Sequence, residues 1–353
     1  MKTMYSIIEL AERIEAAKAA KADYIADTRN MSLAHSDGEM NIVLTKAADG
    51  DLSLRVNPHT HNQIAARLDI PRKYYGRLAD EAPELLCENV NHWLHKTAET
   101  RMVRTISGTA RAFLSDRYNR IENEQIAEVA LPILAEIPQV RFESLAVTDT
   151  RMYLKAVAPR IQGEVVGDIV QAGVIVSNSE VGAGAVSVQP FVLTLACLNG
   201  MVIPDNKFRV QHVGGRIAND ERLTMQLSDE AIRADDHAIL LKVRDVIRAT
   251  LSQDAFNKVV NRLRRAKDDK IENDVVASVR VLAKKTNLSD TEEKGVLRHL
   301  IEGHDLSRYG LLNAVTRLSQ DLPDYDRASE LEIIGGQVLD LPATAWREIA
   351  HAA

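Results

Sequence analysis

Aromatic residues are scarce: Phe, Trp and Tyr together make up 4% of the 353 residues, so a core must rest on Leu, Ile, Val and Ala. Cysteine is scarcer still. Cys87 and Cys197 are far apart and lie in segments of different character, which excludes a disulfide scaffold and suits free thiols in a reducing cytoplasm. No apolar run approaches the ~18 residues that a spanning helix needs. The first residues, MKTMYSIIELAERIEAAKAAK, are amphipathic and soon acidic rather than secretory, so a cytoplasmic location is expected and a membrane partner is not.

Motifs for the commoner chemistries are also missing. The ten histidines show no metal spacing. There is no Cys-x-x-Cys and no His-Glu-x-x-His, and His59 and His61 on either side of Thr60 are a weak pair. The stretch SNSEVGAGAVSVQPFVLTLACLNGM, from Ser177 to Met201, carries glycines but no lysine or arginine. A phosphate loop wants Gly-Lys-Ser/Thr leading into a helix, and a nucleophile elbow wants Gly-x-Ser-x-Gly; this stretch supplies neither. Its glycines read as the turn of a hairpin, and Asn199-Gly200 reads as a turn after the strand. No metal and no cofactor is expected.

What is present fits a globular protein: 45% hydrophobic and 27% charged residues, with a net charge of -6. Ile7, Ile8, Ala11, Ile14 and Ala17 follow helical spacing. NIVLTKAADGDLSLRV alternates around Asp49-Gly50, as a hairpin does. Two short helices split by Asp69-Ile70-Pro71 follow, then a third ending near Trp93. Residues 98–225 are richer in strands, with a helix kinked or divided at Pro132, a hairpin at Thr148-Asp149-Thr150, and the β-prone runs DIVQAGVIVSN and AVSVQPFVLTLACL. Beyond them the pattern is helical, with N-caps at Ser228 and Ser289 and a break at Gly335-Gly336. The fold class expected is α+β. An N-terminal α/β region with a helical hairpin spans 1–97, a β-rich central domain with helices packed on it spans 98–225, and a helical C-terminal region spans 226–353.

Basic residues gather in three places. RMVRTISGTARAFLSDRYNR carries Arg101, Arg104, Arg111, Arg117 and Arg120 beside Tyr118. NKFRVQHVGGR carries Lys207, Arg209 and Arg216 beside Phe208. NKVVNRLRRAKDDK carries Lys258, Arg262, Arg264, Arg265, Lys267 and Lys270. Arginines with interspersed aromatics suit a single-strand groove, and a solvated surface is the alternative. HNQIAARLDIPRKYYGRL reads either as a helix-turn-helix that sets Arg72, Lys73 and Arg77 on phosphates, or as a plain helical hairpin. Tyr74 and Tyr75 there would suit base stacking.

ARAFLSDRYNRIENEQI, VIVSNSEVGAGAVSVQPFVLTLACLNGMVI, RVQHVGGRI and GLLNAVTRLSQDLPDYDRASELEIIGG resemble the plasmid- and prophage-borne proteins grouped as domain of unknown function 932. The likeness extends over about residues 60 to 340. It implies an accessory role in mobile-element DNA metabolism and supplies no catalytic residue. The function expected is non-catalytic binding or annealing of single-stranded DNA, by a chain that can form a homo-oligomer. Arg101, Arg104, Arg111, Arg117, Arg120, Lys207, Arg209 and Arg216 would hold phosphates, and Tyr118 and Phe208 would stack bases. Two alternatives stand beside it. One is a nucleic-acid-processing enzyme using Asp116, Asn178, Glu180 and Asn199. The other is an interaction factor acting on a host system through its helical third.

Overall fold

The computed structural model describes residues 5–47, 50–96, 98–195, 198–203, 208–210, 216–217, 225–226 and 229–353. Helix α1 (Ile7–Ala20) opens on a capping box: the Ser6 hydroxyl accepts from the Glu9 amide at 3.1 Å and the Glu9 carboxylate accepts from the Ser6 amide at 2.7 Å. Six strands then build the first sheet: β1 (Lys21–Asp27), β2 (Met31–Ser36), β3 (Glu39–Ala47), β4 (Gly50–Val56), β5 (Thr100–Ile106) and β6 (Thr109–Ser115), in the order β1-β5-β6-β4-β3-β2. Only β4 and β6 run parallel. A parallel pair needs a long crossover, and α2 (Pro58–Arg67), α3 (Arg72–Glu81) and α4 (Pro83–Lys96) lie within it. Ile64, Tyr75, Leu78, Leu86 and Leu94 of these helices close over Leu33, Ile42, Leu54, Val103 and Phe113.

Helix α5 (Asn123–Ala135) leads to the second sheet. Its strands are β7 (Arg141–Val147), β8 (Met152–Val165), β9 (Asp168–Asn178), β10 (Val186–Thr194) and β11 (Asn199–Val202), in the order β11-β10-β9-β8-β7, and the two-residue β12 (Arg209–Val210) adds to β10. A short ladder joins β13 (Arg216–Ile217) to β14 (Met225–Gln226). The rest is helical: α6 (Asp229–Thr250), α7 (Gln253–Ala266), α8 (Val275–Thr286), α9 (Asp290–Glu302), α10 (Arg308–Leu318), α11 (Tyr325–Asp340) and α12 (Ala343–Ala350). Leu154, Val174, Val176 and Val188 pack with α1, α5 and α6, while Tyr153, Ile175, Phe191 and Val202 pack with Tyr325 of α11. With both faces covered, apolar and polar residues have no reason to alternate. Seven consecutive residues from Met152 to Ala158, and nine from Val170 to Asn178, are accordingly buried.

The fold is mixed α+β, with two six-stranded sheets followed by a mainly helical region from α6 onward. The two layered units share elements across the sequence. Strands β5 and β6 complete the first sheet by pairing with β1 and β4, while Leu10 and Ile14 of α1 pack with the second sheet's layer.

Some local expectations are corrected. Asn199 and Gly200 are strand residues, not a turn. The left-handed residue is Leu198, at φ 52°, and a Cβ on Gly200 would lie 2.1 Å from the Phe191 ring. Gly335 and Gly336 do not break α11, because Gly335 sits where a Cβ would meet Thr316 at 2.3 Å, letting α10 and α11 approach closely. Helix α5 runs through Pro132 without dividing. Ser228, Cys197 and Lys207 lie outside the described residues.

Candidate anion-binding cleft

Between the two sheets lies a cleft of about 620 Å³. One wall is α1 and the start of β1, with Arg13 and Lys21; another is the β5–β6 hairpin with Ser107, Thr109 and Arg111. The β7–β8 turn brings Thr148, Asp149, Thr150 and Arg151, and the β9–β10 loop brings Glu180. The β5–β6 turn holds Ser107 at φ 47° and Gly108 at φ 78°. Two successive left-handed residues match the twist of a tight hairpin, and this presents the Ser107 side chain at the cleft.

Behind the cleft is a buried network of charges. Lys21 contacts Glu180 at 2.6 Å and Glu122 at 3.1 Å. Arg111 Nη1 donates to Glu180 at 2.7 Å, and the Asn123 amide donates to the same carboxylate at 2.7 Å. Arg104, 1% exposed, donates to Asp23 at 2.9 Å, to the Glu180 carbonyl at 2.8 Å and to Glu122. Burial by itself would raise the Glu180 carboxyl, but Arg111 and Lys21 overcome it and bring it down to about 2. For Glu122, burial wins over Arg104 and the carboxyl is raised.

The β9–β10 loop fastens the sheets together. Tyr118 donates its hydroxyl hydrogen to the Ser179 carbonyl at 2.8 Å and accepts from the Gly182 amide at 3.2 Å. His59 and Gln63 both reach the Val181 carbonyl, at 2.9 and 2.7 Å. Asn178 donates to the Ile121 carbonyl at 3.0 Å and to Asn123 at 2.9 Å. The loop's glycines have two different tasks. Gly182 takes φ 73°, and Gly184 leaves room for the Arg151 guanidinium, which a Cβ would meet at 2.6 Å. Arg151 donates to the Ala183 carbonyl beside it.

Some buried atoms here have no partner among the described residues, Asn178 Oδ1 being one. Arg111 Nε and Nη2 are also buried and have no hydrogen-bond partner among the described residues. A desolvated donor without an acceptor costs about 1–3 kcal/mol, and a guanidinium with two free donors on one edge matches the paired oxygens of a phosphate or carboxylate. Around it Arg13, Lys21 and Arg151 line the cleft together with two carboxylates, Asp149 and Glu180.

The basic residues read from the sequence are distributed unevenly over this architecture. Arg104 and Arg111 come together through Glu180, and Arg120 joins them by pairing with Asp23 at 3.2 Å. Arg101 points elsewhere and pairs with Glu99. Arg117 is half exposed, with Asp116 at 3.9 Å. Arg209 is exposed on β12, and the side chain of Arg216 is outside the described residues, as is Lys207. Phe208 is 5% exposed in the core with Val186 and Val188, so its ring offers no free face for a base. The Tyr118 hydroxyl is taken up by the loop. In the helical hairpin Tyr75 is a core residue, while Tyr74 is exposed. Of the alternative set, Glu180 and Asn178 lie in the network, while Asn199 donates to Thr316 on α10.

Lys21, Asp23, Arg13, Arg151 and Glu122 were not singled out by sequence. No local pattern marks them, since Lys21 and Glu180 are 159 residues apart.

The family model described as Domain of unknown function (DUF932) matches residues 111–321, more than half of the chain. The chain belongs to this family. The DUF932 match holds Arg111, Glu122, Arg151 and Glu180, while Arg13, Lys21, Asp23 and Arg104 precede it. No curated protein and no solved structure matches the chain.

Proposed function

We propose that the protein binds single-stranded nucleic acid without catalysing chemistry on it, seating backbone phosphate in the cleft between the sheets. The observation that carries this reading is the Arg111 guanidinium, buried at the cleft with two unpartnered donors. A phosphate there accepts both hydrogens. The neighbouring Arg13, Lys21 and Arg151 supply charge, and the hydroxyls of Ser107 and Thr109 supply further donors. Glu180, held ionised by its two cations, fixes Arg111 in place rather than exchanging protons near neutrality.

The test is binding of a labelled oligothymidylate across a salt series. Up to four cation–phosphate contacts at ~0.7 counterions each give a log–log slope approaching about -3. Arg111→Lys keeps a charge beside Glu180 but loses the two-pronged edge, and is expected to weaken binding about tenfold or more while the protein stays folded. Absence of binding at ~50 mM salt, or equal binding by the Arg111→Lys protein, overturns the reading.

A further inference from the structure

A second cavity, of about 660 Å³, opens on the first sheet away from the cleft. Tyr74 of α3 and Trp93 of α4 line it, 46% and 42% exposed. Tyr and Trp have an apolar body and a polar tip and suit surfaces that are apolar on one side and wet on the other, so two of them lining one cavity offer flat apolar contact to an occupant. Thr28, Phe113 and Leu94 form part of the remaining wall.

The polar groups of this cavity have a definite order. Glu99 accepts from Arg67 Nε at 2.9 Å and from Arg101 Nε at 3.0 Å. The Arg67 hydrogen bond, opposed by burial and joined by Arg101, brings its carboxyl down to about 2. One carboxylate thus holds two guanidinium planes at the cavity wall. Asn89, on α4 one turn before Trp93, also lines the cavity, and its amide makes no hydrogen bond to another described residue. The Lys96 ammonium lies over the Trp93 ring, 4.5 Å from its centre, and so covers one face of it.

Aromatic rings, fixed guanidinium planes and an unused amide are the elements that recognise a flat heterocycle with mixed donor and acceptor edges. We propose that this cavity is a nucleobase-stacking pocket, in which Tyr74 and Trp93 take the ring and Asn89 reads its edge. The inference rests on the strand-binding reading above and gives it a second point of contact. Arg101 lines this pocket and Ile106 lines the cleft, five residues apart on β5. At ~3.4 Å per residue that is ~17 Å of backbone. A strand with phosphate in the cleft need extend only a few nucleotides for one of its bases to enter the pocket.

Trp93 is itself the reporter. The chain has two tryptophans, and Trp346 is 6% exposed in the helical core, so quenching by a stacked base is read from Trp93. Oligothymidylate and thymidine monophosphate are titrated separately, with emission as one readout and anisotropy of the labelled oligonucleotide as the other. Both ligands are expected to quench. Tyr74→Ala and Trp93→Leu, exposed positions that leave folding intact, are expected to lose roughly five- to a hundredfold in oligonucleotide affinity. Asn89→Ala is expected to narrow the preference among the four bases. If the oligonucleotide binds and depends on Arg111, but neither ligand quenches and both aromatic variants bind normally, the pocket proposal is overturned and strand binding stands. If the monophosphate quenches and Tyr74→Ala abolishes it, while the oligonucleotide fails to bind, the pocket stands and strand binding falls. If neither ligand gives a signal, both fall.

Discussion

Glu180 shows what a single buried carboxylate does here. It is 3% exposed, and it contacts Lys21, Arg111 and the Asn123 amide. Replacing it with Gln keeps the shape and takes from buried Arg111 its carboxylate while Lys21 keeps Glu122 at 3.1 Å, and removing one partner of a buried pair costs about 3–5 kcal/mol at neutral pH. The sign of the pH dependence follows from its folded-state value of about 2, below the ordinary value of 4.5. A depressed carboxyl contributes stability that is complete above the unfolded value and is lost as pH falls through the folded one. The gap between the parent and Glu180→Gln is therefore widest above pH 4.5 and closes toward pH 2. Glu122 acts in the opposite sense, because a raised carboxyl is charged at a cost in the folded protein above its own titration. Urea unfolding of both proteins between neutral and acid pH measures the gap. A gap that does not change with pH would mean that Glu180 is not held ionised by Arg111 and Lys21.

At the scale of elements, α10 and α11 are the sharpest case. Helix propensity favours Ala over Gly by about 1 kcal/mol, so Gly335→Ala would stabilise an isolated helix. In the protein the new Cβ meets Thr316 Cγ2 at 2.3 Å and the Leu312 carbonyl at 3.4 Å. Overpacking of this kind costs about 1–3 kcal/mol, and net destabilisation is expected. Thr316→Ser removes the obstructing methyl while keeping the hydroxyl that accepts from Asn199 at 2.6 Å. It should recover most of the loss in the double variant, which chemical denaturation of the four proteins of the cycle measures. The same contact explains why Gly335-Gly336 reads as a break in sequence: a glycine chosen for close approach and one chosen to end a helix look alike. Other elements were legible because their signals are local. Helix α1, the β3–β4 hairpin and the Asp69-Ile70-Pro71 split between α2 and α3 appear where the spacing puts them, although of the stripe read for α1 only Ile14 is buried, together with Leu10, while Ile7 and Ile8 are exposed. Strand β8 is read as one arm of the Thr148-Asp149-Thr150 hairpin, and β9 from its β-prone composition alone, since burial on both faces leaves it no alternation. The cleft was legible only in part. Arg104 and Arg111 stood out as members of an Arg-rich run, but which carboxylate each would meet depends on the pairing of β1 with β5 and on the docking of the β9–β10 loop, contacts more than 55 residues long.

For the whole molecule, the question is whether two sheets joined in this way behave as one. Arg104 stands on β5 of the first sheet and reaches Glu122 ahead of α5 and the carbonyl of Glu180 in the second sheet's loop. Tyr118, His59 and Gln63 add neutral bonds to the same loop. A joint made of charge and hydrogen bonds, rather than of a shared apolar core, is directional and fails when its central group is lost. Arg104→Met leaves the Asp23 and Glu122 carboxylates facing an apolar chain in a desolvated place, at a cost of about 3–5 kcal/mol. Lys155 provides the control. It is buried against Glu332 of α11, so Lys155→Met incurs a similar penalty, but within the packing of the second sheet on its helices. Calorimetry separates the two effects. The parent is expected to unfold in one transition whose van't Hoff and calorimetric enthalpies agree. Lys155→Met should lower the midpoint and keep that agreement, whereas Arg104→Met should split or broaden the transition as the first sheet melts ahead of the second. A single sharp transition in the Arg104→Met protein would show that the sheets are coupled by contacts other than this charged joint, and the cleft between them would then have to be rigid for a different reason.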